Sequence, residues 1–172
     1  MQYKSYIVEQ NLKIIKEKLV LFHGENIGLK NEFKIKIKVN YKDKEILNFT
    51  QDEILKSEEI ILKEIMNISL FEKEKIFFIQ NVNDKILDLI IKIKELIDNK
   101  KIYLFSDTLE KKSKLRNFFE KTELCALIAC YQDNELSLKR IIENYWKGFK
   151  GLTPNNINLI IDNCNLDRAK LY

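Results

Sequence analysis

The residues best placed to do chemistry are Gly24-Glu25-Asn26-Ile27-Gly28-Leu29-Lys30-Asn31, directly after the apolar run Leu19-Val20-Leu21-Phe22 and His23. A phosphate-binding loop of the form G-x-x-x-x-G-K-[ST] would fall here. Its glycines let backbone amides close on phosphate, its lysine reaches the outer phosphates and its hydroxyl ligates magnesium. Lys30 stands at the lysine position, but Leu29 replaces the second glycine and Asn31 replaces the hydroxyl. Glu25 adds a negative charge beside the phosphate cradle. The other half of such a site is an acidic pair at the end of a later apolar strand, where it holds magnesium and positions water. After Ile76-Phe77-Phe78-Ile79 this chain has the neutral amides Gln80-Asn81. Both halves lack the required chemistry, so no hydrolysis of ATP is expected.

Other reaction types find little support. His23 is the single histidine, at the end of an apolar run, and reads as a satisfied structural residue. G-x-S-x-G, the signature of a serine nucleophile elbow, does not occur. Cys125, Cys130 and Cys164 are odd in number and lack C-x-x-C spacing, which speaks for buried thiols and against a disulfide framework or structural zinc. No catalytic residue, metal ligand or cofactor site is expected. With 30 basic and 26 acidic residues the net charge is +4, carried almost wholly by lysine. Lys34-Lys36-Lys38 and Lys111-Lys112-Lys114 read as solvated faces, so direct nucleic-acid recognition is not expected of them.

The elements that must position these residues follow from length and patterning. A chain of 172 residues with 45% hydrophobic residues can bury a core. No apolar run approaches the roughly 20 residues of a membrane helix, and the N-terminus shows no signal region, so a cytoplasmic location is expected. Leu19–Phe22, Glu45–Phe49, Lys75–Gln80, Ile102–Phe105 and Leu124–Cys130 read as strands, with Glu45–Phe49 peripheral. Helices are expected from Ile27 to about Ile37 with Asn26 as N-cap, over Asp52–Met66 and Asp84–Asp98, and over Ser113–Lys121. Tyr3–Lys18 is too irregular to assign. The alternation predicts an α/β fold, a mostly parallel sheet with helices on both faces. From residue 133 the strands stop. Helices are expected over Asn134–Phe149 and from Thr153-Pro154 to about Asn163, with a third opening at Leu166. The division expected is an α/β domain over 1–132 and a small, incomplete helical domain over 133–172.

Between the second helix and the strongest strand stands Ile68-Ser69-Leu70-Phe71. A chain turning from helix into strand points only one of Leu70 and Phe71 fully inward. The pair is therefore either core or an apolar anchor for a partner.

Four stretches together resemble the delta subunit of the bacterial DNA polymerase III clamp loader. They are Leu21-Phe22-His23-Gly24-Glu25-Asn26, then Ile68-Ser69-Leu70-Phe71 with the strand behind it, then Leu109-Glu110-Lys111-Lys112-Ser113-Lys114-Leu115, and finally Asn165-Leu166-Asp167-Arg168. The third is similar to the family's L-D-x-R-S-K-L stretch and is the most specific; the fourth matches more loosely. The resemblance implies an AAA+-type, P-loop NTPase-like sheet domain with a degenerate phosphate loop, followed by a helical lid. The C-terminal collar domain would be absent. It also implies a subunit of the polymerase III holoenzyme that hydrolyses no ATP and binds and opens the ring-shaped sliding (beta) clamp. The implied contact residues are Leu70 and Phe71, flanked by Ile68 and Ser69. The implied partners are the clamp, the gamma/tau and delta prime subunits through the collar, and DNA only through the assembled loader. Arg168, near the position of a nucleotide-sensing arginine in loader ATPases, is expected to be a plain surface or interdomain charge. Two alternatives remain open: a nucleotide-binding protein with a variant site at Lys30, and a generic α/β interaction module.

Overall fold

In the computed structural model, residues 1–67, 74–98 and 100–171 are described. Six parallel strands form one sheet in the order β1-β6-β2-β5-β4-β3, with β1 Gln2–Lys4, β2 Leu19–His23, β3 Glu45–Thr50, β4 Lys75–Gln80, β5 Lys101–Ser106 and β6 Cys125–Ala129. The sheet is wholly parallel among the described residues, where a mostly parallel one was expected. After β2 the chain crosses to the far edge at β3, returns through β4 to β5 beside β2, then passes to β6 on the opposite side. The strand order therefore reverses at β2, with His23 level with Ser106 of β5 and Ala129 of β6.

Alternation along the central strands divides the interior into two apolar layers. Leu19, Leu21, Phe77, Ile79, Ile102, Leu104, Cys125 and Leu127 face one side. There they meet Ile54 of α3 Gln51–Lys56, Ile61 and Ile65 of α4 Glu58–Met66, Leu89, Ile90 and Ile93 of α5 Leu87–Leu96, and Leu115 and Phe119 of α6 Lys114–Lys121. Val20, Phe22, Phe78, Tyr103 and Phe105 face the other side. They pack on Val8 of α1 Ser5–Gln10 and on Leu29, Phe33 and Ile37 of α2 Ile27–Asn40. Phe22 anchors this layer, with ring centroids 4.8 Å from Phe33 and 5.3 Å from Phe105. Strands covered on both faces read as unbroken apolar runs.

Local chemistry moves several boundaries. The helix expected over Asp52–Met66 is two helices, because Thr50 closes a capping box with Glu53 at the start of α3 and the backbone leaves the helical conformation at Ser57 before α4. Asp84–Ile86 forms a 3-10 turn ahead of α5, started by the Asn83 side chain. The irregular N-terminal stretch holds the edge strand β1 and α1, which three residues and one buried side chain made illegible. Helices α7 Glu135–Tyr145 and α8 Pro154–Cys164 share a third apolar cluster of Leu138, Ile142, Ile157, Ile161, Cys164 and Leu171. Where a third helix was expected to open, Arg168–Leu171 makes a 3-10 turn. Among the described residues no helix is long and apolar enough to cross a membrane.

Candidate functional site

Ligands of open α/β sheets lie beyond the carboxyl ends of the strands, where strand order reverses. Here that point is the turn from β2 into α2, so His23, Gly24, Glu25, Asn26 and Lys30 stand where a phosphate would be held. Gly24 has φ +135°, a conformation that side chains rarely adopt, and a Cβ there would run into the Cys130 carbonyl. The turn is sewn to its neighbours by its own backbone. The Gly24 amide donates to the Asp107 carbonyl at 3.3 Å, the Asn26 amide to Cys130 at 3.0 Å, and the Cys130 amide to His23 at 2.7 Å. Asn26 caps α2 through its side-chain oxygen on the Leu29 amide, 2.9 Å.

Lys30 is buried and faces the chain. Its Nζ donates to the Ser106 carbonyl at 2.9 Å and lies 3.4 Å from Asp107 Oδ1. Glu25 accepts from the Gln132 amide at 3.0 Å and from Thr108 Oγ1 at 3.2 Å. The Gln132 amide chiefly holds its carboxyl below the usual range. These donors and acceptors are spent on the protein.

The second half of the crevice carries the wrong charge for magnesium. Lys34, one turn beyond Lys30, donates to Gln80 Oε1 at 3.0 Å and sits 4.7 Å from the centre of the Phe105 ring. Burial, then the charges of Lys30 and Lys38, hold its ammonium below the ordinary lysine range. Where a magnesium site needs carboxylates, the Gln80 amide and Lys34 meet. No group of His, Cys, Asp and Glu among the described residues could hold a metal ion.

Over the first turn of α2 lies a buried ionic cluster that sequence reasoning missed. Arg168 is 2% exposed and grips Asp133 with both arms of its guanidinium, Nε to Oδ2 at 2.7 Å and NH2 to Oδ1 at 2.8 Å. Its NH1 donates to Glu9 of α1 at 2.6 Å and to Glu32 of α2 at 3.2 Å. Asp133 also accepts from Asn26 Nδ2 and from Ser137 Oγ, each at 2.7 Å. Burial alone would raise the Asp133 carboxyl, but the bonds from Arg168, Ser137 and Asn26 outweigh it and hold it low. Gly28 makes room for this packing, since a Cβ there would stand 2.5 Å from Arg168 Cγ and 3.0 Å from the Ala169 nitrogen. Of the expected surface or interdomain charge at Arg168, the surface half is corrected: the guanidinium is buried, and it bridges from the C-terminal segment to Glu9 and Glu32, its charge compensated by buried Asp133 and these two half-buried carboxylates. The one legible signal was Asp133 itself, an acid directly before the N-cap Asn134.

His23 is buried, as expected, but it is not satisfied. Neither ring nitrogen has a hydrogen-bond partner among the described residues, and Tyr131 meets the ring edge-on at 6.1 Å. Burial, aided by the Arg116 charge, lowers its pKa to about 4, so the ring is neutral at physiological pH. The three cysteines are free and buried, and burial pushes Cys130 up to about 12. Such thiols are inert.

Ile68, Ser69, Leu70 and Phe71, the residues to which the resemblance assigns clamp contact, lie outside the described residues. Their flanks are held. Lys100 donates to the carbonyls of Glu64, Ile65 and Asn67 and so caps the end of α4, a favourable place for a cation. Lys75, the first residue of β4, pairs with Glu64 at 2.8 Å. Ser113, in the stretch of the most specific resemblance, caps α6 and bonds Asp84, so that stretch serves the fold.

A parallel sheet reversing at β2, with a glycine turn into α2 and helices on both faces, makes a doubly wound α/β fold, of the AAA+ type by its likeness to solved structures. Within it, the chain is similar to the Bacillus subtilis DNA clamp loader delta protein, with a TM-score of 0.67 and 13% identity, over 97% of this chain and 54% of that one. It is also similar to Rhizobiales Trip13, with a TM-score of 0.55 and 10% identity over 92% of this chain and 65% of that one. The likeness to Drosophila ORC, solved bound to DNA, has a TM-score of 0.54 and 11% identity over 96% of this chain and 58% of that one. At such identities the likeness is one of fold. The chain spans about half the length of the clamp loader delta protein and under two thirds of the other two. No protein-family model and no curated protein matches the sequence.

Proposed function

We propose that this chain is a noncatalytic clamp-loader subunit of the delta type. It binds the ring-shaped sliding clamp of DNA replication through Ile68, Ser69, Leu70 and Phe71 and favours the opened ring. One observation carries the reading. On a fold similar to a DNA clamp loader delta protein, the polar side chains of the phosphate loop bond the chain itself, Lys30 to Ser106 and Asn26 to Asp133, and Gln80 and Lys34 stand where magnesium ligands would be needed. A protein built this way works by binding. It shifts its partner's equilibrium only by its differential affinity for the closed and opened ring. The gamma/tau and delta prime subunits complete the loader, and DNA is met through it. Residues 1–132 form the AAA+-like domain and 133–172 the helical lid, a division supported by the separate apolar cluster of residues 138–171.

The test is binding of the chain to the sliding clamp of its own organism, compared with a Leu70→Ala/Phe71→Ala variant of verified fold. Truncating an apolar anchor costs about 2 kcal/mol or more, roughly thirtyfold in affinity. Loss of binding by the folded variant is the expected result. Equal binding by both proteins, or none by the wild type at tens of micromolar, overturns the reading.

A further inference from the structure

We propose that the Arg168 cluster is a permanent latch: by bridging α1, α2 and the β6–α7 connection, it holds helices α7 and α8 in one position against the sheet with no ligand required. Four elements far apart in sequence converge on one guanidinium. They are α1 through Glu9, α2 through Glu32, the β6–α7 connection through Asp133, and the 3-10 turn after α8 that carries Arg168 itself. Asp133 extends the cluster in both directions, to Asn26 in the glycine turn and to Ser137 in the first turn of α7. The turn that bears Arg168 lies directly on Gly28, close enough that a methyl group there would press on the Arg168 stem.

Among the described residues, the apolar interior of α7 and α8 is drawn from residues 138–171, so it keeps these helices together without fixing where they sit. Leu171 of the latch turn belongs to that cluster, which joins the ionic contact rigidly to the helices. The placement on the sheet falls to the polar contacts. A bidentate arginine–carboxylate pair is directional as well as strong, so it specifies one orientation. Being buried, it is little screened by salt.

The latch is tested by hydrogen exchange and by the distance between spin labels at Val39→Cys and Asn158→Cys. Both positions are exposed, and the native cysteines are buried and will not take label. Wild type should give one narrow distance distribution, unchanged by magnesium-ATP. Arg168→Met should broaden it and speed exchange in residues 135–171 about tenfold or more, while β2 and β5 keep their protection. If that variant fails to fold, Arg168→Lys, which keeps the charge and loses the fork, and Gly28→Ala, which wedges the turn away, carry the same test. Uniform loss of protection across sheet and helices would show an ordinary stabilising ion cluster and overturn the latch. A wild-type distribution that narrows only with nucleotide, or variants indistinguishable from wild type, would overturn it as well.

Discussion

Replacing Asp84 by alanine uncaps α6 from outside the helix. The four leading amides of α6 are all satisfied: Ser113 donates to the Glu110 carbonyl, Lys114 and Leu115 donate to Asp84 at 3.1 and 3.0 Å, and Arg116 donates to Ser113 Oγ at 3.1 Å. Asp84 also accepts from Ser113 Oγ at 2.6 Å. Losing a cap costs about 1 kcal/mol. Losing a negative charge at a helix N-terminus adds about 0.3–1 kcal/mol, toward the lower end for so exposed a carboxylate. Asp84→Ala should therefore cost about 1.5 kcal/mol at neutral pH, or roughly 3–6 °C in Tm for a chain of this size. Ser113→Ala should cost about 1 kcal/mol, and the double variant should fall short of the sum by about 0.5 kcal/mol because the two side chains share a bond. The assay is urea denaturation of all four proteins. The bonds from Ser113, Leu115 and Lys114 overcome the opposing effect of burial and hold the Asp84 carboxyl below its ordinary value. A depressed carboxylate contributes stability that is present above its unfolded pKa, near 4, and lost as pH falls below it. The gap between wild type and Asp84→Ala should accordingly close on acidification below about pH 4. A cost under about 0.5 kcal/mol, or strict additivity with Ser113→Ala, would refute the capping argument.

Three further outcomes are expected. Gly24→Ala forces a side chain into a positive-φ position against the Cys130 carbonyl and should destabilise by about 2 kcal/mol or more, read as a lowered urea midpoint. His23 is neutral when folded, with a pKa near 4, so stability should fall as pH drops from about 6.5 toward 4. His23→Leu should remove that slope, and a slope unchanged in the variant would place its origin elsewhere. Magnesium-ATP at millimolar concentration should leave the Tm within about 1 °C, whereas Lys30→Ala should lower it by orphaning the Ser106 carbonyl. A nucleotide-dependent rise in Tm that Lys30→Ala abolishes would restore the variant phosphate site.

The fold was legible wherever burial wrote itself into the pattern. Ile76-Phe77-Phe78-Ile79 and Ile102-Tyr103-Leu104-Phe105 are unbroken because both faces of those strands are covered. Asn26, Ser113 and Thr153 mark helix starts because their side chains bond the amides they cap. The break at Ser57 was hidden, since the apolar spacing runs through it while the backbone does not. At the crevice the defects of the phosphate loop were plain, because each is a residue of the wrong chemistry at a fixed spacing.

Sequence alone established the parallel α/β layout, the failed phosphate loop and the amides in place of magnesium ligands. All of these are local: they depend on residue type and on neighbours a few positions away. Which groups the chain's cations bond was decided only in three dimensions. Arg168 reaches Asp133 across 35 positions and Glu9 across 159, and Lys34 reaches Gln80 across 46. A lone lysine or arginine in sequence reads as solvated. Only the packed chain brings the carboxylate or carbonyl that makes its burial affordable, and no periodicity records which acid that will be.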